Sequence, residues 1–291
     1  MRVDDLSPAW RSEFILHAHG AEVAELADCI AVRTPANPHF YWGNFLLLPS
    51  APADADLAHW LQRFEAWVAQ GRPLVRHVAI GINAPRQGEM RPAWLAAGFE
   101  CMDTTALSLQ PAQLRAPAQA PRGAVIVRPI DFEREMAAAV DLQCASNDGF
   151  EPTGYRAFRH AQMQRYAALA ARGQAQWFGA WCDGTLAADC GLIRESGART
   201  ARFQLVSTHP QWRRRGLCRA LIYGVSQWGF GHWAAQQLLM CADPADVAIG
   251  IYQSLGYTRI GEHWHLQRRA PHDVAANAAT DRAPPAPAAP S

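Results

Sequence analysis

Residues 110–122 read Gln-Pro-Ala-Gln-Leu-Arg-Ala-Pro-Ala-Gln-Ala-Pro-Arg, and this run constrains the fold more than any other. A Pro/Ala stretch with almost nothing to bury reads as a linker. It leaves one unit of residues 1–109 and another of 123–269, each an ordinary domain length. Residues 270–291, ending Ala-Pro-Pro-Ala-Pro-Ala-Ala-Pro-Ser, share that composition and are expected to form a disordered tail. Two tandem domains are therefore expected.

Composition narrows the class. Hydrophobic residues make up 49%, enough for either unit to bury a core without covalent staples. The 27 basic and 26 acidic residues nearly cancel, which argues against a basic nucleic-acid scaffold. The chain contains no lysine, so Schiff-base, P-loop and kinase lysine chemistries are excluded. Seven scattered cysteines never form a C-x-x-C pair; reduced thiols in a cytoplasmic protein are expected, with no metal site. The start, Met-Arg-Val-Asp-Asp, lacks the charge pattern of a signal peptide, and no apolar run approaches a membrane span.

Periodicity gives the secondary structure. In the first unit, Glu22–Ile30 reads as a short helix. Asp56–Gln70 reads as a longer one, with Leu57, Trp60, Leu61 and Phe64 on one face. Leu74–Ile82 and Phe99–Leu109 read as strands. The second unit begins with a strand and two helices, then three successive strands, then helix, strand, helix and strand. The expected class is α/β (α+β), with a mixed, mostly antiparallel central sheet flanked by helices. Trp94-Leu-Ala-Ala-Gly98-Phe99 and Tyr252-Gln-Ser-Leu-Gly256-Tyr257 form a short internal repeat, each near the end of its unit.

Chemistry concentrates in Thr208-His-Pro-Gln-Trp-Arg-Arg-Arg-Gly-Leu-Cys-Arg219. A strand ends, the chain turns at Gly216, and a helix starts. Unpaired backbone N–H groups and the helix dipole suit that end to a pyrophosphate without lysine. Arg213, Arg214 and Arg215 can add bidentate donors. A solvated basic loop is the alternative on composition alone.

The pattern P-x-x-R-R-R-G-L-x-R-A-L resembles the acyl-CoA pyrophosphate motif of the GNAT superfamily of N-acetyltransferases. Its Arg-x-x-Gly-x-Gly/Ala signature falls on Arg213, Gly216 and Cys218. Ile251-Tyr252-Gln-Ser-Leu-Gly256-Tyr257 is similar to the family's L-Y-x-x-L-G-F pattern. The resemblance implies a tandem GNAT-like chain with acetyl-CoA as co-substrate and a small-molecule or peptide amine as acceptor, in direct transfer within a ternary complex. It places the pyrophosphate on Arg213, Arg214, Arg215, Gly216, Leu217, Cys218 and Arg219. The pantetheine arm would pair along Val206, Ser207 and Thr208, and Tyr252 would be the general acid. The first unit is expected to be a degenerate copy that closes the acceptor pocket or supports the active unit. Its segment His39-Phe-Tyr-Trp-Gly-Asn44 is placed to reach across.

An amine must be neutral to attack a thioester. The strand Ala201-Arg-Phe-Gln-Leu-Val-Ser-Thr208 carries no acid, which leaves Asp189 as the candidate base and His209 second. Asp148 and Glu151 are candidates for attracting a cationic amine, with helix capping as their alternative. His17/His19 and His263/His265 read as surface or packing residues. No nucleic-acid or membrane partner is expected, and the chain is expected to be a monomer or homodimer. The rival readings are a non-catalytic acyl-CoA sensor and an acyltransferase that uses a longer acyl-CoA.

Overall fold

The apolar runs of both units become strands of a single sheet. The computed structural model describes residues 1–86, 88, 92–147, 149–194 and 197–273. The first half supplies β1 (Glu22–Glu25), β2 (Ile30–Arg33), β3 (Phe45–Leu48), β4 (Val78–Ile82) and β5 (Glu100–Leu109). The second supplies β6 (Val125–Pro129), β7 (Ala175–Cys182), β8 (Thr185–Arg194), β9 (Thr200–Thr208), β10 (Gln237–Ala242) and β11 (Thr258–Arg268). These eleven strands hydrogen-bond in the order β1-β2-β3-β4-β11-β5-β10-β9-β8-β7-β6. Among the described residues only β3/β4 and β9/β10 pair in parallel. The sheet is thus mixed and mostly antiparallel.

α-Helices flank this sheet. They are α1 (Pro8–His17), α2 (Leu57–Phe64), α3 (Pro92–Ala96), α4 (Phe132–Ala145), α5 (Pro152–Ala170), α6 (Leu217–His232) and α7 (Ala248–Ser254). They cover both faces of the sheet, which is why β3 is four apolar residues in a row. Phe45 and Leu47 pack with Trp10 and Phe14 of α1, while Leu46 and Leu48 pack with Phe64 near α2 and Trp94 of α3. Burying each such side chain is worth about 1.5–3 kcal/mol. In the second half α6 and α7 cover one face and α4 and α5 the other, where Leu16 of α1 joins them.

The halves exchange their last strands. β11, from the end of the second half, pairs with β4 of the first. β5, from the end of the first half, pairs with β10 of the second. The two then run antiparallel against each other from Thr258 to Gln267. The short repeat just precedes each exchanged strand. Phe99 N–H donates to the Trp94 carbonyl at 3.1 Å and Tyr257 N–H to the Tyr252 carbonyl at 3.2 Å. Gly98 (φ +81) and Gly256 (φ +104) occupy the same left-handed cap.

Three local readings need correction or completion. Glu22–Ile30 is not a helix but most of a hairpin, with Leu26 N–H donating to the Cys29 carbonyl across the turn. Nine residues offered too few turns for helical spacing to outweigh sheet pairing with β3. Helix α1 has no counterpart in the sequence reading, although Ser7 caps Trp10 N–H and Pro8 opens the helix. The linker is packed rather than free: Arg115 N–H donates to the Leu255 carbonyl and Arg122 N–H to the Arg215 carbonyl, both at 2.9 Å. Residues 274–291 of the expected tail lie outside the described residues.

Candidate functional site

The parallel pairing of β9 with β10 covers Thr200–Arg202 against Gln237–Leu239 and then stops. A bulge at Leu205 (φ +44) bends β9. Val206, Ser207 and Thr208 remain bonded to β8 through their other edge, so the edge turned towards β10 is open for an added strand. The splay leads to the start of α6.

A short turn at Pro210–Trp212 precedes that helix. Arg214 (φ +62) and Gly216 (φ +83) both adopt left-handed conformations, and no side chain caps the helix at Gly216. The first N–H groups of this sixteen-residue helix are free to face an anion. The loop is braced: Arg215 lies over the Trp212 ring at 4.7 Å, and Arg213 Nε donates to the Thr208 carbonyl at 3.3 Å. A Cβ on Gly216 would stand 3.2 Å from Pro121 Cα in the linker.

Tyr252 of α7 is 4% exposed on the same face as α6. Burial, with Cys218, Asp246 and Cys190 nearby, pushes its pKa far up and keeps the phenol protonated. Burial likewise lifts the Cys218 thiol to about 12, leaving it un-ionised. Val206–Thr208, Arg213–Arg219 and Tyr252 therefore converge on the splay and the start of α6. The equivalent position in the first half is filled differently. Trp94 is fully buried and its indole N–H donates to the Ala53 carbonyl at 3.1 Å.

The other candidates do not join this group. Asp189 is sealed on the α4/α5 face, where Gln143 Nε2 (2.7 Å) and Trp177 Nε1 (2.9 Å) donate to its Oδ2. Burial raises its pKa to about 7 against those two hydrogen bonds. His209 caps its own turn, accepting from Gln211 N–H. Both oxygens of Glu151 are taken by backbone N–H groups of Thr153 and Gly154, a helix cap. Asp148 lies outside the described residues.

On the opposite face from Tyr252, a cavity of about 320 Å³ opens where the two halves meet. Its lining includes Arg202 and Gln204 of β9, Cys241 at the end of β10, His263 and His265 of β11, and Glu13 of α1. Trp10, Phe40, Trp42 and Phe45 add aromatic walls. Arg202 is buried and donates from Nη2 to Glu13 Oε1 at 2.5 Å, and from Nη1 to Ser12 Oγ at 2.7 Å and Cys241 Sγ at 3.0 Å. Burial would raise the Glu13 pKa, but the Arg202 guanidinium beside it opposes this and the net shift is downward, which keeps the carboxylate ionised. Burial drops His17 and His265 to about 3 and His263 to about 4, so all three are neutral at pH 7.

The aromatic segment does reach across. Phe40 stacks on Phe158 at 5.6 Å, and Trp42 meets His265 at 4.1 Å. The sequence reading missed Glu13 and Arg202, whose positions are 189 residues apart. The Ser7-Pro8 start of α1 was the signal available for Glu13. No group of three or more His, Cys, Asp or Glu is placed to hold a metal ion, and no helix is long and apolar enough to cross a membrane, among the described residues.

Residues 141–257 match the family model described as the acetyltransferase (GNAT) family. No curated protein matches the chain by sequence. Among solved structures, the chain is similar to a functionally unknown conserved protein from Staphylococcus epidermidis ATCC 12228 (TM-score 0.65, 12% identity, 87% of this chain and 95% of that one). It is also similar to a GCN5-related N-acetyltransferase from Kribbella flavida (TM-score 0.59, 16% identity, 91% and 97%). A third is a tandem GNAT protein from the clavulanic acid biosynthesis pathway (TM-score 0.50, 13% identity, 86% and 83%). At these identities the likeness is one of fold. Family and fold together support acyl-CoA-dependent acetyl transfer in general.

Proposed function

We propose that this chain, which carries a GNAT-family acetyltransferase domain over residues 141–257, moves an acetyl group from acetyl-CoA to a primary amine by direct transfer in a ternary complex. One observation carries the reading: the β9/β10 splay opens onto an uncapped helix start on one face and a cavity on the other. Donor and acceptor then approach the same gap from opposite sides of the sheet.

The residues fit the donor. The left-handed Arg214 and Gly216 turn the loop so that the N–H groups leading into α6 can hold a pyrophosphate, with Arg213 and Arg215 adding charge. The open edge of Val206–Thr208 suits an extended amide-bearing arm. When bound, acetyl-CoA supplies the electrophilic thioester carbonyl and a thiolate leaving group. Tyr252, protonated and buried among apolar neighbours, is the proton source for that sulfur. Un-ionised Cys218 is a poor nucleophile, which favours direct transfer. We assign 1–109 and 123–269 as tandem GNAT-like units, with the first copy no longer able to hold the donor because it has no Arg-x-x-Gly-x-Gly equivalent, and without the acid because Trp94 stands at its Tyr252 position.

Tyr252→Phe tests the reading. Turnover against an amine panel should fall by on the order of 10²-fold or more, while calorimetric binding of acetyl-CoA stays unchanged. An unaltered rate removes Tyr252 from the chemistry. Binding without turnover of any amine by the unmodified protein favours a sensor. Competition by succinyl- and longer acyl-CoAs reports the acyl preference. Arg213→Glu/Arg215→Glu should weaken donor binding; equal affinity would overturn the cofactor assignment.

A further inference from the structure

We propose that the cavity between the halves is the acceptor site, and that it selects a compact primary amine with an apolar body and no acidic group, its ammonium held by Glu13 of the first half. The proposal rests on the acetyl-transfer reading and extends it to the acceptor.

Charge decides the class. The lining holds one guanidinium, Arg202, whose charge is paired with Glu13 and whose terminal nitrogens are engaged by Glu13, Ser12 and Cys241, which leaves its buried Nε without a protein partner. The three imidazoles are neutral and add no positive charge. Asp103 is paired with Arg86, while Asp243 remains at the exposed rim. The Glu13–Arg202 pair sums to no net charge, so an acceptor carboxylate or phosphate would enter against Asp243 at the rim with no unpaired cation among the described lining residues to meet it. An ammonium finds the opposite: Asp243 at the rim, the Glu13 oxygen that Arg202 does not bond, and the faces of aromatic residues such as Trp42 and Phe40.

Hydrogen-bond accounting agrees. His17, His263 and His265 each carry a buried Nδ1 without a protein partner. Buried polar atoms of this kind require a partner; with the proton on Nε2, the nitrogen that His263 turns towards Glu13, each Nδ1 is an acceptor, and an ammonium brings three donors. The position is also suitable. Gln204 lines the cavity just beyond the point where β9 leaves β10, and Cys241 does so on the facing strand. Asp189, on a sealed part of the same face, does not line it. The volume of about 320 Å³ suits a molecule with one ring or a short alkyl chain.

The test compares 2-phenylethylamine with phenylalanine, which share an amine and a ring and differ by a carboxylate. Binding to the full chain is followed through tryptophan fluorescence, since Trp10 and Trp42 line the cavity, and by calorimetry. Phenylethylamine should bind at least tenfold more tightly, and Glu13→Gln should weaken it on the order of ten- to a hundredfold with acetyl-CoA affinity unchanged. Equal or tighter binding of phenylalanine, no binding of phenylethylamine, or an unchanged affinity in Glu13→Gln would overturn the proposal. Should Glu13→Gln not fold, Asp243→Asn, which keeps its hydrogen bond to Ala245 N–H, should still weaken the amine several-fold; no change there counts against the site. Glu13-dependent binding without acetylation would refute the transferase reading and leave the pocket standing. Acetylation of other amines without phenylethylamine binding would do the reverse.

Discussion

Substituting Gly216 by Ala isolates what the turn proposed to hold the pyrophosphate contributes. At φ +83 an alanine incurs about 1–2 kcal/mol of left-handed strain. Its Cβ would also lie 3.2 Å from Pro121 Cα. That backbone cannot withdraw freely, because Arg122 N–H is bonded to the Arg215 carbonyl at 2.9 Å; breaking the bond costs about 0.5–1.5 kcal/mol more. To shed that cost of about 2–3 kcal/mol the loop relaxes and turns its N–H groups away from the ligand, and restoring the binding shape should raise the Kd for acetyl-CoA by about ten- to a hundredfold, read by calorimetry. Gly184→Ala is the control. It has a similar φ of +78 in the β7–β8 turn and nothing within 4 Å of the added Cβ, so it should lose stability but bind donor normally. Unaltered donor binding in Gly216→Ala, or equal weakening in Gly184→Ala, would refute the assignment of this turn.

Further outcomes follow from buried charge. Asp189, raised to about 7 in the fold, favours the native state while protonated, so its contribution is present below about pH 4 and lost as pH rises towards 7. Asp189→Asn can still accept from Gln143 and Trp177, and denaturant titrations should show its stability relative to the parent rising over that range, by up to about 4 kcal/mol; parallel curves would count against it. His17, His263 and His265 act with the opposite sign. Their pKa values of about 3–4 mean that stability is full above about pH 6.5 and falls below it, so replacing His265 with Phe should lessen the loss of Tm between pH 6.5 and 4.5. Removing one partner of the Glu13–Arg202 pair, as in Arg202→Met, should cost about 3–5 kcal/mol. Arg202→Met/Glu13→Gln should recover much of it, and additive losses would argue against coupling.

The proposed donor side of the site is legible in sequence because its elements are local. Strand, turn, Gly216 and helix follow one another within a few residues, and Tyr252 sits in a short repeat whose glycine cap is a sequence signal. The proposed acceptor side is not, because its members come from α1, β9, β10 and β11, brought together only by tertiary pairing. His17, His263 and His265 read as surface or packing residues, and they surround one cavity because β11 crosses into the first half. The sheet class was readable from strand alternation, but not its union into one sheet. Apolar periodicity sets which face a strand buries and is silent on which edge it joins. The composition of the linker indicated a break, yet Gly256 requires it close by: a Cβ there would fall 1.9 Å from the Gln113 carbonyl.

The exchanged strands also set an order of events during synthesis. β4 leaves the ribosome early, but one of its edges is completed by β11, about 180 residues later in the chain. At roughly 5–20 residues per second, that edge stays uncovered for about ten to forty seconds, with the apolar surface beneath Trp94 only partly closed. β5 waits for β10 in the same way. The first half thus emerges as an unfinished template that its own C-terminal strand must later seal, and the cavity lined by Glu13 and His263 comes into being at that final step.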